Sequence, residues 1–263
     1  MKTIAICNYK GGVGKTATTI NLAAELAAAG RRVIVIDADG QRNLSRFFKA
    51  DADHGGTTYE LLTGEAETYY PELLQETCVE GVQIIPASAE LPKADLAALT
   101  GGRLNRNGLR DLCEAIAEDG EVNYILIDCP TSYSAATVAA LGAADAVLIP
   151  VELEGFALDG ARDLAEQVAG IQALGGALRV AGALVTKRYR CKLQDEAETL
   201  LRSTGLPVFQ QTIPRRAAVA ESMVAGIPLR EYFPGSPAAL SYQLFAAEFL
   251  DQEEGTEYGE ERI

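Results

Sequence analysis

The sequence contains no tryptophan, only one histidine, and five cysteines, none of which form a Cys-x-x-Cys pair. Zinc and iron–sulfur sites need clustered cysteines or histidines, so this composition argues against both. Because the number of cysteines is odd and they are scattered along the chain, the sequence also argues against a disulfide framework and favours reduced thiols. No apolar run approaches the roughly 18 residues of a membrane-spanning helix, so we expect a soluble, cytoplasmic protein.

Positive charge is also scarce, since 23 Lys and Arg residues stand against 37 Asp and Glu residues, for a net charge of −14. A protein of that charge is repelled by nucleic acid unless a local basic patch overrides the overall field. Residues 251–263 hold six acidic side chains and one arginine. We expect one folded domain over residues 1–250 and a flexible acidic tail over 251–263.

Short apolar runs alternate with longer amphipathic stretches along most of the chain. Runs that are apolar on both faces are typical of parallel strands covered by helices on each side. The predicted strands are Thr3–Cys7, Val33–Ile36, Val82–Ile85, Tyr124–Ile127, Ala146–Val151 and Ala177–Val185. The predicted helices span 14–29, 103–118, 134–142, 156–174, 192–203, 215–225 and 237–250, with short helices in the less regular stretch 51–102. This order predicts an α/β fold with a single doubly wound, mostly parallel sheet.

A glycine-rich loop connects the first predicted strand to the first helix. Its residues are Lys10, Gly11, Gly12, Val13, Gly14, Lys15 and Thr16. Small residues let backbone N–H groups turn toward phosphate oxygens, and the following helix presents its positive end to an anion. Lys15 can reach the β- and γ-phosphates, while the Thr16 hydroxyl can bind Mg²⁺. A glycine turn without function is the alternative, but it would require this placement to arise by chance.

Acidic residues follow two other predicted strands. Asp37 and Asp39 come directly after Val33–Ile36, and Asp128 follows Tyr124–Ile127. The carboxyl ends of parallel strands meet at one edge of the sheet, where ligands bind. An aspartate that ends an apolar strand is typical of a Walker B motif, which holds Mg²⁺ beside bound phosphates.

The string from Lys10 to Thr16 resembles the deviant Walker A motif of the ParA/MinD superfamily, in particular its Soj/ParA-type partitioning ATPases. The segment Asp37–Asn43 resembles that family's DxDPQxN switch, Asp128-Cys-Pro resembles its DCPP, and Ile213-Pro-Arg215 resembles its IPR element. The resemblance implies ATP or ADP with Mg²⁺, slow hydrolysis stimulated by a partner, and a role in plasmid or chromosome partitioning.

The same resemblance implies roles for individual residues. Lys10 would reach the ATP of the partner in an ATP-bound homodimer, and Asp39 would position the attacking water. Asp37 would support the Mg²⁺ shell held by Thr16 and Asp128, with Asn43 nearby. The implied nucleotide contacts also include Ala17, and the implied adenine contacts are Thr186, Pro214 and Arg215, for which an ordinary strand end and turn is the alternative.

The chain departs from the family pattern at four positions. Ala17 lacks the usual hydroxyl, Gly40 replaces a proline and should loosen the switch, and Thr131 replaces the second proline of DCPP. Ala218 stands where many DNA-binding members carry arginine. A non-specific DNA contact would therefore depend on the basic residues Lys187, Arg188, Arg190, Lys192, Arg215, Arg216 and Arg230, against the overall negative charge.

These departures leave two functions open. The first is a ParA-like switch that positions cargo with a ParB-like adaptor. The second is a nucleotide-gated interaction module with little hydrolysis and no DNA binding. A MinD-like membrane oscillator would need a basic amphipathic C-terminal helix, and the C-terminal segment is acidic. An iron–sulfur relative would need specifically placed cysteines, which Cys113 and Cys129 do not supply.

Overall fold

The computed structural model of this chain describes residues 1–52, 55–65, 70–154, 163, 165–166, 168–169, 172 and 177–255. Eight strands in these residues form one sheet in the order β3-β4-β2-β5-β1-β6-β7-β8. All neighbouring pairs are parallel except β3 and β4, which are antiparallel. The prediction of a single, mostly parallel α/β sheet is therefore confirmed.

The strands are β1 (Lys2–Ile6), β2 (Val33–Asp37), β3 (Gln75–Glu76), β4 (Val82–Ile85), β5 (Tyr124–Asp128), β6 (Ala146–Glu152), β7 (Arg179–Arg188) and β8 (Val208–Pro214). The helices are α1 (Lys15–Ala28), α2 (Asn43–Phe48), α3 (Thr58–Thr63), α4 (Leu91–Thr100), α5 (Gly108–Asp119), α6 (Ala135–Ala143), α7 (Lys192–Ser203), α8 (Ala217–Ala225), α9 (Leu229–Tyr232) and α10 (Pro237–Gly255), with a short 3-10 helix at Tyr70–Leu73.

The central strands are apolar on both faces because helices cover each side of the sheet. Alternate residues of one strand belong to different cores: Ala5 packs in one buried cluster and Ile4 and Ile6 in the other. Helices α3, α4, α5 and α6 contribute to the first cluster, and α1, α2 and α10 to the second. Because helices cover both faces, the sheet lies in the middle of the domain. The carboxyl ends of its strands remain accessible along one end of the sheet, which we call the carboxyl edge.

Several elements differ from the sequence-based expectation. Strand β8 was not predicted, because Gln210 and Gln211 interrupt its apolar pattern at the edge of the sheet. Helix α10 continues to Gly255, five residues beyond its predicted end and into the segment expected to be flexible. Glu253 is buried there and forms ion pairs with Lys2 and Arg179. Most of the helix predicted over 156–174 lies outside the described residues.

The described helices are all too short or too polar to cross a membrane. Cys7, Cys113 and Cys129 are buried, and burial raises the pKa of Cys113 to about 12. A thiol of high pKa is unreactive, which agrees with a packing role for this residue. No group of three or more His, Cys, Asp or Glu side chains in the described residues could hold a metal ion.

Candidate functional site

The loop between β1 and α1 lies at the carboxyl edge of the sheet. Gly12 and Gly14 have φ angles of 76° and 89°, and Gly14 is the residue before the first turn of α1. An L side chain is disfavoured in this left-handed region, so glycine is required at both positions. The helix consequently begins at Lys15, and its amino end faces the concave side of the loop.

Side chains from three elements hold this loop in place. The Asn8 side chain donates to the Pro150 carbonyl at 2.8 Å and accepts the backbone N–H of Lys10 at 2.9 Å. Buried Lys15 donates to the Asn8 carbonyl at 3.1 Å. On the other side, the Thr186 hydroxyl donates to the Val13 carbonyl at 2.7 Å. The loop is therefore a rigid cradle whose lysine is already positioned. Sequence reasoning missed Asn8, because no motif marks it.

Asp128 is the last residue of β5, which lies between β1 and β2 in the sheet. Its register partners are Ile6 on β1 and Asp37 on β2, so two aspartates sit side by side. The Thr16 hydroxyl donates to Asp128 Oδ2 at 2.7 Å, and the Thr19 hydroxyl lies 3.5 Å from Oδ1. The three residues predicted as metal ligands, Thr16, Asp37 and Asp128, are thus brought together.

Asp37 is completely buried and held by the start of α2. Its Oδ2 accepts the Ser45 N–H at 2.8 Å and the Ser45 hydroxyl at 2.6 Å, while Oδ1 accepts the Asp39 N–H at 3.1 Å. Ser45 Oγ in turn accepts the Ala87 N–H at 2.9 Å, which ties β2, α2 and the end of β4 together. Ser45 is a second residue that the motifs did not indicate.

Both buried aspartates are poorly suited to carry a charge in this environment. Burial raises the pKa of Asp37 to about 6 and that of Asp128 to about 8, with the neighbouring Asp37 carboxylate adding to the second shift. A cation bound beside them would restore the charged forms. The donor set, one threonine hydroxyl and two carboxylates, fits Mg²⁺, whose remaining ligands would be phosphate oxygens and water.

Asp39 occupies a different environment from these two. It is half-buried, its Oδ1 accepts the Gln41 N–H at 2.9 Å, and its carbonyl accepts the Arg42 N–H at 2.8 Å. It lines a cleft of about 320 Å³ together with Gly40, Gln41, Pro92, Pro130 and Thr131. A water molecule beside the loop could reach this carboxylate. Asn43 begins α2, is exposed, and lines a neighbouring cleft that also contains Thr16.

Lys10 points its ammonium group out of its own loop. Its Nζ donates to the Glu154 carbonyl at 2.8 Å, and the Glu154 carboxylate lies 3.5 Å from Arg215. Glu154 therefore links Arg215 to Lys10, and Pro214 precedes Arg215 at the end of β8, in register with Arg188 of β7. The Thr186 hydroxyl is instead bonded to Val13 and so supports the loop.

The departures from the motif have different surroundings. A Cβ on Gly40 would lie 3.3 Å from Pro92 Cδ, so this glycine is packed closely under α4, contrary to the expected loosening. Thr131 lies 3.8 Å from the Cβ position of Gly11. Ala17 is half-buried in the first turn of α1, and Ala218 is buried in the core. An arginine at 218 would therefore not fit this packing.

The basic residues near the site are mostly neutralised by acids of the same chain. Arg188 pairs with Asp195 and with Glu198 at 2.9 Å, and Lys192 lies 3.6 Å from Glu196. The remaining pairs are Lys187 with Glu152, Arg215 with Glu154 and Arg230 with Glu25. Of the seven basic residues predicted to contact DNA, Arg190 and Arg216 form no ion pair with the described residues.

The chain is similar to known proteins along almost its whole length. The family described as AAA domain matches residues 1–178. The chromosome partitioning protein ParA of Caulobacter vibrioides is 36% identical over 257 residues, which cover 96% of this chain and 95% of that protein. The chromosome-partitioning ATPase Soj of Thermus thermophilus is 36% identical, with coverage of 95% and 96%.

A similar fold occurs in cobyrinic acid a,c-diamide synthase from Mycobacterium smegmatis, solved with bound ADP and magnesium. The TM-score is 0.79 at 28% identity, and the match covers 97% of this chain and 96% of that one. Because these matches cover nearly the whole chain, they include the phosphate-loop cradle, both acidic strand ends and the strands on the other side of the loop.

Proposed function

The chain belongs to the AAA-domain family, within the group of ParA, Soj and MinD ATPases, and on that premise we propose that it is an ATP-driven dimerisation switch. It binds ATP and ADP with Mg²⁺, as the solved relative with ADP and magnesium supports. The 2.7 Å hydrogen bond between Thr16 and Asp128, beside a preformed phosphate loop, carries the nucleotide and Mg²⁺ site, and the position of Lys10 outside that loop carries the dimer.

The geometry supports separate roles in hydrolysis for the residues of the site. Lys15 neutralises the phosphate chain, and backbone N–H groups from Gly11 to Ala17 bind its oxygens. Thr16 and Asp128 would hold Mg²⁺, supported by Asp37, and the metal would supply charge neutralisation at the phosphates. Asp39 orients water from the cleft in front of the loop. Because Asp39 is half-buried and its Oδ1 already accepts a hydrogen bond, we expect slow hydrolysis that a partner accelerates.

Lys10 supports the dimer. Lys15 serves the loop from within, whereas the Lys10 ammonium is bonded to a carbonyl outside the loop. By giving up this carbonyl, the Lys10 ammonium could contact a second nucleotide brought by another copy of the chain. Homodimerisation with ATP would then create the surface that an adaptor or DNA recognises. Thr186, Pro214 and Arg215 would border the adenine, Thr186 through its backbone.

The partitioning role comes from the relatives, and the adaptor is expected to be ParB-like. Non-specific DNA is a weaker part of the proposal, because most basic residues near the site are paired within the chain. If DNA binds, Arg190 and Arg216 are the residues best placed to contact phosphates.

Sizing of the Asp39→Ala variant with Mg²⁺ and ATP, with ADP and without nucleotide tests the switch. This variant should trap ATP, so we expect a dimer with ATP alone and a monomer in the other two samples. Adding Lys10→Ala should keep ATP binding and remove the dimer. A monomer in all three samples, or a dimer in all three, contradicts the switch.

Steady-state turnover separates the enzyme from a nucleotide-gated module. Wild-type protein should release phosphate only with Mg²⁺, and Asp39→Ala should not. Equal rates for the two proteins would support the module, in which nucleotide binding alone controls partner choice.

A further inference from the structure

Lys187, at the end of β7, has an unusual backbone conformation. Its φ angle is 52°, and only two other non-glycine residues in the described part of the chain, Arg42 and Lys49, have positive φ. The left-handed region is unfavourable for a residue with a Cβ, and residues held there gather at functional sites. Something in the surroundings must therefore compensate for this conformation.

The end of β7 is fastened to the phosphate loop directly before Lys187. Thr186 pairs in register with Glu152 of β6, and its hydroxyl donates to the Val13 carbonyl at 2.7 Å. As a result, the Lys187 ammonium lies 4.0 Å from the position that a Cβ on Gly12 would occupy. Gly12 belongs to the loop whose N–H groups cradle phosphate. Lys187 is thus a third lysine, besides Lys10 and Lys15, whose ammonium group lies next to the phosphate loop.

The present partner of Lys187 is an acid that is more buried than the lysine. Nζ lies 3.2 Å from Glu152 Oε2, and the two side chains are 40% and 11% exposed respectively. A half-exposed pair of this kind contributes little to stability, so it can exchange partners easily. The lysine has a flexible four-carbon stem, which allows its ammonium group to move by several ångströms without any backbone change.

We propose that Lys187 is a phosphate-binding residue, which exchanges Glu152 for the phosphate chain of a bound nucleoside polyphosphate. Glu152 holds the ammonium beside Gly12 when the site carries no nucleotide. The left-handed turn at Lys187 serves to aim the side chain back across the loop. This inference rests on the proposed nucleotide site and adds to it a residue that the phosphate-loop motif does not contain.

The test is the affinity for ATP with Mg²⁺, measured by calorimetry on the wild type, Lys187→Met, Glu152→Gln and the double variant. Arg32→Met is the matched control, because Arg32 forms an exposed ion pair with Glu121 directly before β2, at the opposite end of that strand from the site. Loss of a charge-assisted contact should weaken ATP binding about ten-fold in Lys187→Met. The same variant should bind ATP with a weaker dependence on salt, and Arg32→Met should behave as the wild type.

The double variant separates phosphate binding from a merely structural pair, and it leaves no unpaired carboxylate that would hinder folding. If Lys187 binds phosphate, the double variant stays as weak as Lys187→Met. If Lys187 only neutralises Glu152, the double variant returns to wild-type affinity, which overturns the inference, as would unchanged affinity in Lys187→Met. Wild-type protein that binds no ATP would instead contradict the proposed function itself.

Discussion

The two sides of the phosphate loop are built differently. On the metal side, β2 and β5 end in the buried acids Asp37 and Asp128, whose partners are neutral hydroxyl and N–H groups, with Lys15 as the nearby cation. On the base side, residues at or next to the ends of β6, β7 and β8 form ion pairs in which at least one partner reaches solvent, such as Lys187 with Glu152 and Arg215 with Glu154.

This difference indicates how each side responds to a ligand. The two buried carboxyl groups of the metal side take up a proton more readily than usual when no cation is bound, and a bound Mg²⁺ would stabilise their charged forms instead. Most cations of the base side are already paired with acids of the same chain, so a nucleotide or partner must displace an internal acid to use those cations. The carboxylates of the metal side thus need a cation, whereas the base side has ion pairs whose partners a ligand can replace.

The largest effect should come from removing a charge on the metal side. Asp128→Asn keeps the size of the side chain but removes the carboxylate that accepts from Thr16. We expect Mg²⁺-dependent phosphate release to fall at least about 100-fold. We also expect the increase in melting temperature on adding ATP with Mg²⁺ to be largely lost, whereas ATP alone still binds. Glu118→Gln, an exposed change on α5, is the control. Normal turnover in Asp128→Asn would mean that the metal side is not where Mg²⁺ binds.

A second effect should appear in the pH dependence of stability. The folded-state pKa values of Asp37 and Asp128, about 6 and 8, lie above those of the unfolded chain. Between about pH 4 and pH 8 the folded protein therefore binds more protons than the unfolded one. Their contribution to the free energy of unfolding is fully present below about pH 4 and is lost as pH rises through 6 and 8, by up to about 1.4 kcal/mol per pH unit for each proton.

Denaturant unfolding at several pH values, without nucleotide and with EDTA, measures this contribution. Asp128→Asn should be more stable than the wild type at pH 8 and should show a shallower decline with pH. If the wild type gained stability relative to Asp128→Asn between pH 5 and pH 8, the two sides of the loop would not differ as described.

The smallest effect should come from the base side and its paired cations. Asp195→Asn with Glu198→Gln releases Arg188, while Glu118→Gln with Asp119→Asn changes net charge by the same amount on the distant helix α5. The double variant on α7 should bind random-sequence DNA more tightly than the double variant on α5. The slope of log affinity against log salt should steepen by about 0.9 for each added phosphate contact. Equal affinities of the two double variants for DNA would show that the ion pairs of Arg188 with Asp195 and Glu198 do not limit DNA binding.

Much of the metal side could be predicted because its residues follow apolar strands directly. The parallel sheet brings the ends of β1, β2 and β5 together, so Thr16, Asp37 and Asp128 had to meet. The roles of Ser45 and Asn8 could not be found this way, since they depend on tertiary hydrogen bonds to Asp37 and to the Pro150 carbonyl that no motif marks. Lys187 was expected only as a basic residue for DNA, because the sequence does not show that its side chain lies beside Gly12. Strand β8 was missed because an edge strand tolerates glutamines, and the end of α10 because Glu253 is buried only through Lys2 and Arg179.

The ion pair of Lys2 and Glu253 has a practical consequence for handling this protein. It joins the first strand and the last helix of the described chain at the amino edge of the sheet, opposite the phosphate loop. A fluorescent label or an affinity tag attached near either position should therefore sit on the face away from the nucleotide.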